Sequence, residues 1–281
     1  MSPASDPKSL QADLDLALRL AEHASEVILP KFRRCAVEIK PDGTEVTAAD
    51  RSAEEVIRDV LGRERPGDGV LGEEFPERVA AEGISRQWIV DPIDGTAAFA
   101  LGLPTFGTLI ALMEGGEPVV GVIHLPAMGE TTYAAIGLGC WWRPSPGEPA
   151  ERVRVAPPTP LGEAYASTTN PRSSDIVSRP GQVRYRLGTL IRSAGKFRFV
   201  GDCVQFALVC RGRLHVAFDS MMAPWDIAAL VPCIEEAGGV ASALDGSRPG
   251  IVFSRSVLSS CDPELHREVL RVLTPDETDP E

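Results

Sequence analysis

No stretch of this sequence approaches the roughly eighteen consecutive apolar residues of a membrane-spanning helix, and the first fifteen carry no apolar run of signal length. Positive charge is scarce: 28 Lys and Arg stand against 40 Asp and Glu, a formal net charge of −12 and a pI of about 4.9. Nucleic acid and anionic membrane both need a basic face, so neither is expected as a partner. An anionic substrate stays possible, because a bound metal reverses the local sign. The six cysteines (35, 140, 203, 210, 233 and 261) include no Cys-x-x-Cys pair and the four histidines are scattered, which argues against a zinc site. Internal repeats and low-complexity tracts are also missing. These absences describe a soluble, cytoplasmic protein with reduced thiols, whose acidic tail from Thr274 to Glu281 is expected to fray. What is there is ordinary globular composition, 281 residues at 43% hydrophobic and 24% charged, enough for one large domain or two packed halves.

Helical spacing of apolar residues marks Asp13 to Leu29, ended by Pro30, and a second helix capped by Thr47 with Val56, Ile57, Val60 and Leu61 buried and Gly62 as its stop. Gly107 to Met113 and Val119 to His124 form a hairpin, followed by short strands at 131–135 and 139–142. The proline-rich stretch 143–160 fits a boundary between halves, taken as 1–145 and 146–281. Strands then follow at 165–168, 196–200 and 214–218, a helix at 203–210, one helix from Trp225 to about Ala237 stopped by Gly238-Gly239, a strand at 257–260, and a helix from Asp262 with Pro263 at its first position.

The most informative stretch is Trp88-Ile-Val-Asp-Pro-Ile-Asp-Gly-Thr96. Trp88 to Val90 end a buried strand, and Pro92 requires the chain to turn. Asp91 and Asp94 then stand three positions apart, before a Gly95-Thr96 step into a helix whose first N–H groups suit an anion. Taken alone, this stretch reads equally as a polar turn. Asp50, Glu73, Glu74 and Asp226 have similar plain readings, as first-turn, solvated-turn and N-cap residues. Together, carboxylates at strand ends without Cys or His suit a hard cation such as Mg²⁺.

Four segments, Val46-Thr-Ala-Ala-Asp50, Gly72-Glu-Glu74, Trp88 to Thr96 and Pro224-Trp-Asp-Ile-Ala-Ala229, resemble the motifs of the inositol monophosphatase superfamily, in that family's order and across nearly the whole chain. The resemblance implies a mixed α/β fold, a layered αβαβα sandwich with the site between its halves, commonly a homodimer. It implies that Glu73, Asp91, the Ile93 carbonyl, Asp94 and Asp226 bind two or three Mg²⁺. Asp50, Thr96 and Glu74 would be the catalytic residues that activate the attacking water, and Asp94, Gly95 and Thr96 would hold the phosphate. Because a phosphate monoester carries about two negative charges, metals must overcome the acidic pocket. No Ser or Cys nucleophile stands in the signature, so direct attack by metal-activated water is expected.

Pro104 to Leu112 and Gly201-Asp-Cys-Val-Gln-Phe-Ala-Leu-Val-Cys-Arg-Gly212 resemble the histidinol-phosphate phosphatase branch, although Val204 and Gln205 stand where aromatic residues often follow Gly-Asp-Cys. The resemblance implies that the small phosphorylated metabolite is histidinol phosphate; the alternative is inositol 1-phosphate or a mixed set of small phosphates. Asp202 and Asp219, at strand ends, are expected to receive a cationic alcohol portion, unless Asp202 simply caps the helix after it. The arginine-containing insert 171–192 reads as a solvated basic loop.

Overall fold

The structure is a computed structural model that describes residues 7–40, 43, 45–177 and 184–274. Residues 41, 42 and 44, Arg179 of the insert and the tail from 275 onward lie outside the described residues.

Helix α1 (Pro7–Ile28) buries Leu10, Leu14, Ala17, Ala21, Ala24 and Ile28 on one stripe and starts earlier than Asp13. Strands β1 (Val37–Ile39) and β2 (Glu45–Thr47) form an antiparallel hairpin that the apolar pattern did not reveal. It delivers Thr47 to the start of α2 (Ala48–Glu64), which runs through Gly62 instead of stopping there. An isolated helical glycine costs only about 1 kcal/mol, too little to break a helix packed on a sheet.

Strands β3 (Gly69–Gly72) and β4 (Arg86–Asp94) come next, and helix α3 (Thr96–Leu101) follows β4. Then come β5 (Gly107–Glu114), β6 (Glu117–Leu125), β7 (Glu130–Ala135), β8 (Gly139–Arg143) and β9 (Glu151–Arg152). These strands make a seven-stranded sheet in chain order, antiparallel except for β3 beside β4. The turn expected at Pro92 does not occur: β4 continues to Asp94 through a shift in register against β5 between Asp91 and Asp94. The shift accommodates a residue that cannot donate to the ladder, and Thr108 Oγ1 donates to the Pro92 carbonyl at 2.8 Å.

The second sheet contains β10 (Tyr165–Thr168), β11 (Lys196–Arg198), β12 (Val216–Asp219), β13 (Val240–Ser242) and β14 (Val257–Ser260), in the order β11-β10-β12-β14-β13. Its helices are α4 (Leu187–Ser193), α5 (Asp202–Cys210), α6 (Pro224–Ile227), α7 (Leu230–Glu236) and α8 (Pro263–Leu273). The insert is therefore not only a loop, because α4 buries Leu187 and Leu190. The single helix expected from Trp225 is two, α6 and α7. Pro232 has no N–H for the Ala228 carbonyl, so the ladder breaks there, and the proline is tolerated only in the first turn of a new helix.

Three apolar clusters define the layers. One joins α1 and α2 to one face of the large sheet. A second fills the space between the two sheets, around α5 and α7. The third lies between the small sheet and α4 with α8. The order is the expected αβαβα sandwich. The middle layer is tight: a Cβ on Gly121 of β6 would lie 2.2 Å from the Ala229 carbonyl, so only glycine allows that approach.

Candidate active site

The site is assembled from the ends of β4, α2, α5 and α6. At the start of α2, Thr47 is the N-cap and Asp50 stands at the third helical position. The Asp50 Oδ2 accepts from the Thr47 N–H at 2.8 Å and from its hydroxyl at 2.6 Å, a capping box that fixes the carboxylate. This leaves Oδ1 facing the Thr96 hydroxyl at 3.3 Å, which also lies 3.0 Å from the Ile93 carbonyl. One hydroxyl proton serves one of these acceptors at a time, so the Thr96 oxygen keeps lone pairs toward the cleft. Burial pushes the Asp50 carboxyl up, and hydrogen bonds from Thr47 and Thr96 oppose it.

At the end of β4, Asp91 Oδ1 accepts from the Ile93 N–H at 3.0 Å. Asp94 Oδ2 accepts from the Cys203 N–H at 2.6 Å and so caps α5 from another layer. In α6, Asp226 Oδ2 accepts from the Ala223 N–H at 2.8 Å; Asp226 is the third residue of that helix rather than its N-cap. One carboxylate oxygen from each of Asp91, Asp94 and Asp226 lies within 4.8 Å of the others. Burial first, then neighbouring carboxylates, Glu73 foremost for Asp91 and Asp202 for Asp94, push both well above the ordinary carboxylate range, and burial raises Asp226. Among the described residues no Lys, Arg or His forms an ion pair with any of the three. Carboxyls gathered this closely are relieved by taking up protons or by a cation, and an all-oxygen donor set suits a hard divalent one.

Gly95 has φ +84° and precedes α3. The left-handed backbone favours glycine, and an added Cβ would also press on the Asp202 carboxylate, whose Oδ2 would lie 2.8 Å from it.

Glu73 and Glu74 are held differently. Lys40 Nζ lies 2.7 Å from Glu73 Oε1 and 2.7 Å from Glu74 Oε1. The Glu74 N–H donates to Glu54 Oε2 at 2.8 Å. Glu73 thus lines the cleft but stands outside the three-carboxylate group. Burial raises it to about 7 even though Lys40 pulls it down. Sequence reasoning missed Lys40 altogether; nothing local signals a contact made 33 residues away.

The cleft has a volume of about 650 Å³, and Trp225 and Phe253 form its apolar side. Beyond the carboxylates a smaller cavity of about 140 Å³ is lined by Asn170, Asp202, Asp219, Ser220 and Met222. The two aspartates expected to read the substrate differ. Asp219 accepts from the Thr168 hydroxyl, the Thr169 N–H and hydroxyl, and Gln205 Nε2, at 2.9, 2.9, 2.6 and 2.5 Å. Its acceptor capacity is taken up by its own chain. Asp202 does not cap α5: it is the first helical residue, at φ +47°, and its N–H donates to Thr169 Oγ1 at 2.8 Å. Among the described residues no donor reaches its carboxylate, which burial and Asp226 raise to about 6.

Residues 9–275 match the sequence profile of the inositol monophosphatase family. A histidinol-phosphatase of Chlorobaculum parvum is 42% identical over 229 residues, 81% of this chain and 84% of that one. A histidinol-phosphatase of Mycobacterium tuberculosis is 41% identical over 236 residues, 83% of this chain and 88% of that one. An inositol monophosphatase structure from Zymomonas mobilis superposes with a TM-score of 0.78 at 30% identity, covering 94% of this chain and 98% of that one.

Proposed function

The chain belongs to the inositol monophosphatase family, and from that premise we propose that it is an Mg²⁺-dependent phosphomonoesterase acting on histidinol phosphate. The observation that carries the metal reading is the group of buried Asp91 with half-buried Asp94 and Asp226, which no cation among the described residues neutralises. These three, joined by Glu73 and the Ile93 carbonyl, would hold two or three Mg²⁺. When bound, the ions supply charge for the phosphoryl oxygens and a lowered pKa for water.

The remaining work belongs to the chain. Asp50, fixed by Thr47, accepts a proton by way of the Thr96 hydroxyl and orients a water there. The first N–H groups at Gly95 and Thr96 have no helical partner and point a positive dipole at the phosphate. Glu74, assigned to catalysis from its motif, is committed to Lys40, so its role is to hold that lysine.

Asp202 supports the substrate assignment. Histidinol phosphate offers an ammonium and an imidazole beside its phosphate, and an unpartnered carboxylate in the adjoining cavity suits them. The histidinol-phosphatase relatives point the same way. Inositol 1-phosphate is the second reading, supported by Asn170 and Ser220, which suit a polyol. A cytoplasmic homodimer completes the proposal. Phosphate release from histidinol phosphate and from inositol 1-phosphate, each with Mg²⁺ and with chelator, tests it. A higher kcat/KM on the ester with the cationic alcohol portion supports the assignment; preference for the ester of the neutral polyol replaces it with the second reading.

A further inference from the structure

The Asp202 carboxylate is held in one place by the backbone on either side of it. Gly201 and Asp202 both have positive φ, +93° and +47°. A left-handed backbone at a residue other than glycine persists only where the surroundings fix it. Here the Asp202 N–H donates to Thr169 Oγ1 at 2.8 Å, and the Cys203 N–H donates to Asp94 Oδ2 at 2.6 Å. Thr169 is fixed in turn: its hydroxyl donates to Asp219 Oδ2 at 2.6 Å and its N–H to Asp219 Oδ1 at 2.9 Å. The hydroxyl proton is thus committed, and the oxygen faces Asp202 as an acceptor. The carboxylate carried by this backbone lies where the cleft and the smaller cavity meet. It rests against Gly95, where an added Cβ would lie 2.8 Å from Asp202 Oδ2 and 3.3 Å from its Cβ. Asp202 therefore stands beside Asp94 and Gly95, at the reacting end of the cleft.

A substrate group read at that place must lie close to the phosphate. An N⁺–H···O⁻ contact spans about 2.7–2.9 Å, so only a short arm joins an ammonium on Asp202 to an ester oxygen beside Asp94 and Gly95. Two carbons make that arm; a third adds a rotor and carries the charge away. In histidinol phosphate the ammonium stands two carbons from the ester oxygen, and the imidazole stands further out. We propose that Asp202, held by Thr169, reads this ammonium and not the imidazole, so that phosphate monoesters of 1,2-amino alcohols are substrates as a class. Thr169 is then a positioning residue. This inference rests on the phosphomonoesterase reading of the site.

The experiment measures phosphate release by the full-length chain at saturating Mg²⁺ from 2-aminoethyl phosphate, 3-aminopropyl phosphate and ethyl phosphate, with histidinol phosphate as control. Wild type, Thr169→Val and Thr169→Ser are compared, with circular dichroism on each. Wild type should show a kcat/KM on 2-aminoethyl phosphate roughly 10- to 100-fold above that on ethyl phosphate, as expected for one charge-assisted contact. Most of that gain should lie in KM, and 3-aminopropyl phosphate should gain only a few-fold. Thr169→Val should abolish the gain, because Asp202 is free to leave its left-handed conformation, whereas Thr169→Ser keeps the hydroxyl and should restore it. Equal kcat/KM on 2-aminoethyl and ethyl phosphate, in a wild type that hydrolyses histidinol phosphate, overturns the inference and leaves the phosphomonoesterase reading standing. A gain that survives in folded Thr169→Val overturns the positioning role. A wild type that releases phosphate from none of these esters overturns both readings.

Discussion

Asp202 and Asp219 lie on the same cavity, yet their chemistry diverges because of what surrounds each carboxylate. Four donors from Thr168, Thr169 and Gln205 surround Asp219, so it is a fastener between β12, β10 and α5 rather than a receptor for substrate. An amide at that position would turn an NH₂ toward donors, and Asp219→Asn should cost about 1–3 kcal/mol of stability while lowering turnover of phosphate esters of cationic and neutral alcohols alike. Asp202 has no such partners. Asp202→Asn should lower kcat/KM for histidinol phosphate by roughly 10- to 100-fold, the loss of one charge-assisted contact, and change inositol 1-phosphate turnover only a few-fold. Steady-state kinetics on both esters decides it: equal losses would remove Asp202 as the group that reads the amine.

The start of α2 couples stability to chemistry through one threonine. Thr47→Ala removes the cap, at a cost of about 1 kcal/mol. It also frees the Asp50 carboxylate to rotate away from Thr96, so activity should fall further than the melting temperature suggests. Thr47→Ser keeps the hydroxyl and should restore both, as a melt and a rate measurement on each variant will show. Thr47 was legible in the sequence because a capping residue is a local signal, whereas the αβαβα order was expected from the family resemblance of the motifs and not from apolar spacing. The continuation of β4 past Pro92 was not legible, because the register shift depends on β5, a strand thirteen or more positions further along. The same holds for the link between layers in which Asp94 caps α5 across 109 positions. The ligand residues stood out as a motif, whereas the Asp219 fastener depended on side chains from two other elements that the sequence does not place together.

Across the whole molecule the acidic interior makes stability depend on pH and on metal. Glu73 and Asp219 are both raised to about 7, chiefly by burial. The native state therefore holds protons that the unfolded chain has released above its ordinary carboxyl range, and stability of the metal-free protein falls as pH rises toward and through 7. His124 and His266, lowered to about 4 by burial, act in the opposite direction but only below the ordinary histidine value of about 6.5. The Cys140 thiol, lowered to about 5 by Cys210 and then Cys233, acts against the carboxyls above the histidine range, but several buried carboxyls outweigh one thiol, so from about pH 6.5 to 8 the melting temperature in EDTA should decline and the stabilisation by Mg²⁺ should grow. A melting temperature in EDTA that rises across this window would mean that the carboxylates are already neutralised by the chain. The central claim is that Asp91, Asp94 and Asp226 form a metal site on which hydrolysis depends. It is tested most directly by phosphate release from histidinol phosphate by wild type and Asp91→Asn at saturating Mg²⁺, with circular dichroism to confirm the fold. Wild type should lose activity to chelator and regain it with Mg²⁺, and folded Asp91→Asn should retain less than about a hundredth of the rate; retention of a tenth or more, or full wild-type activity in chelator, would contradict the account.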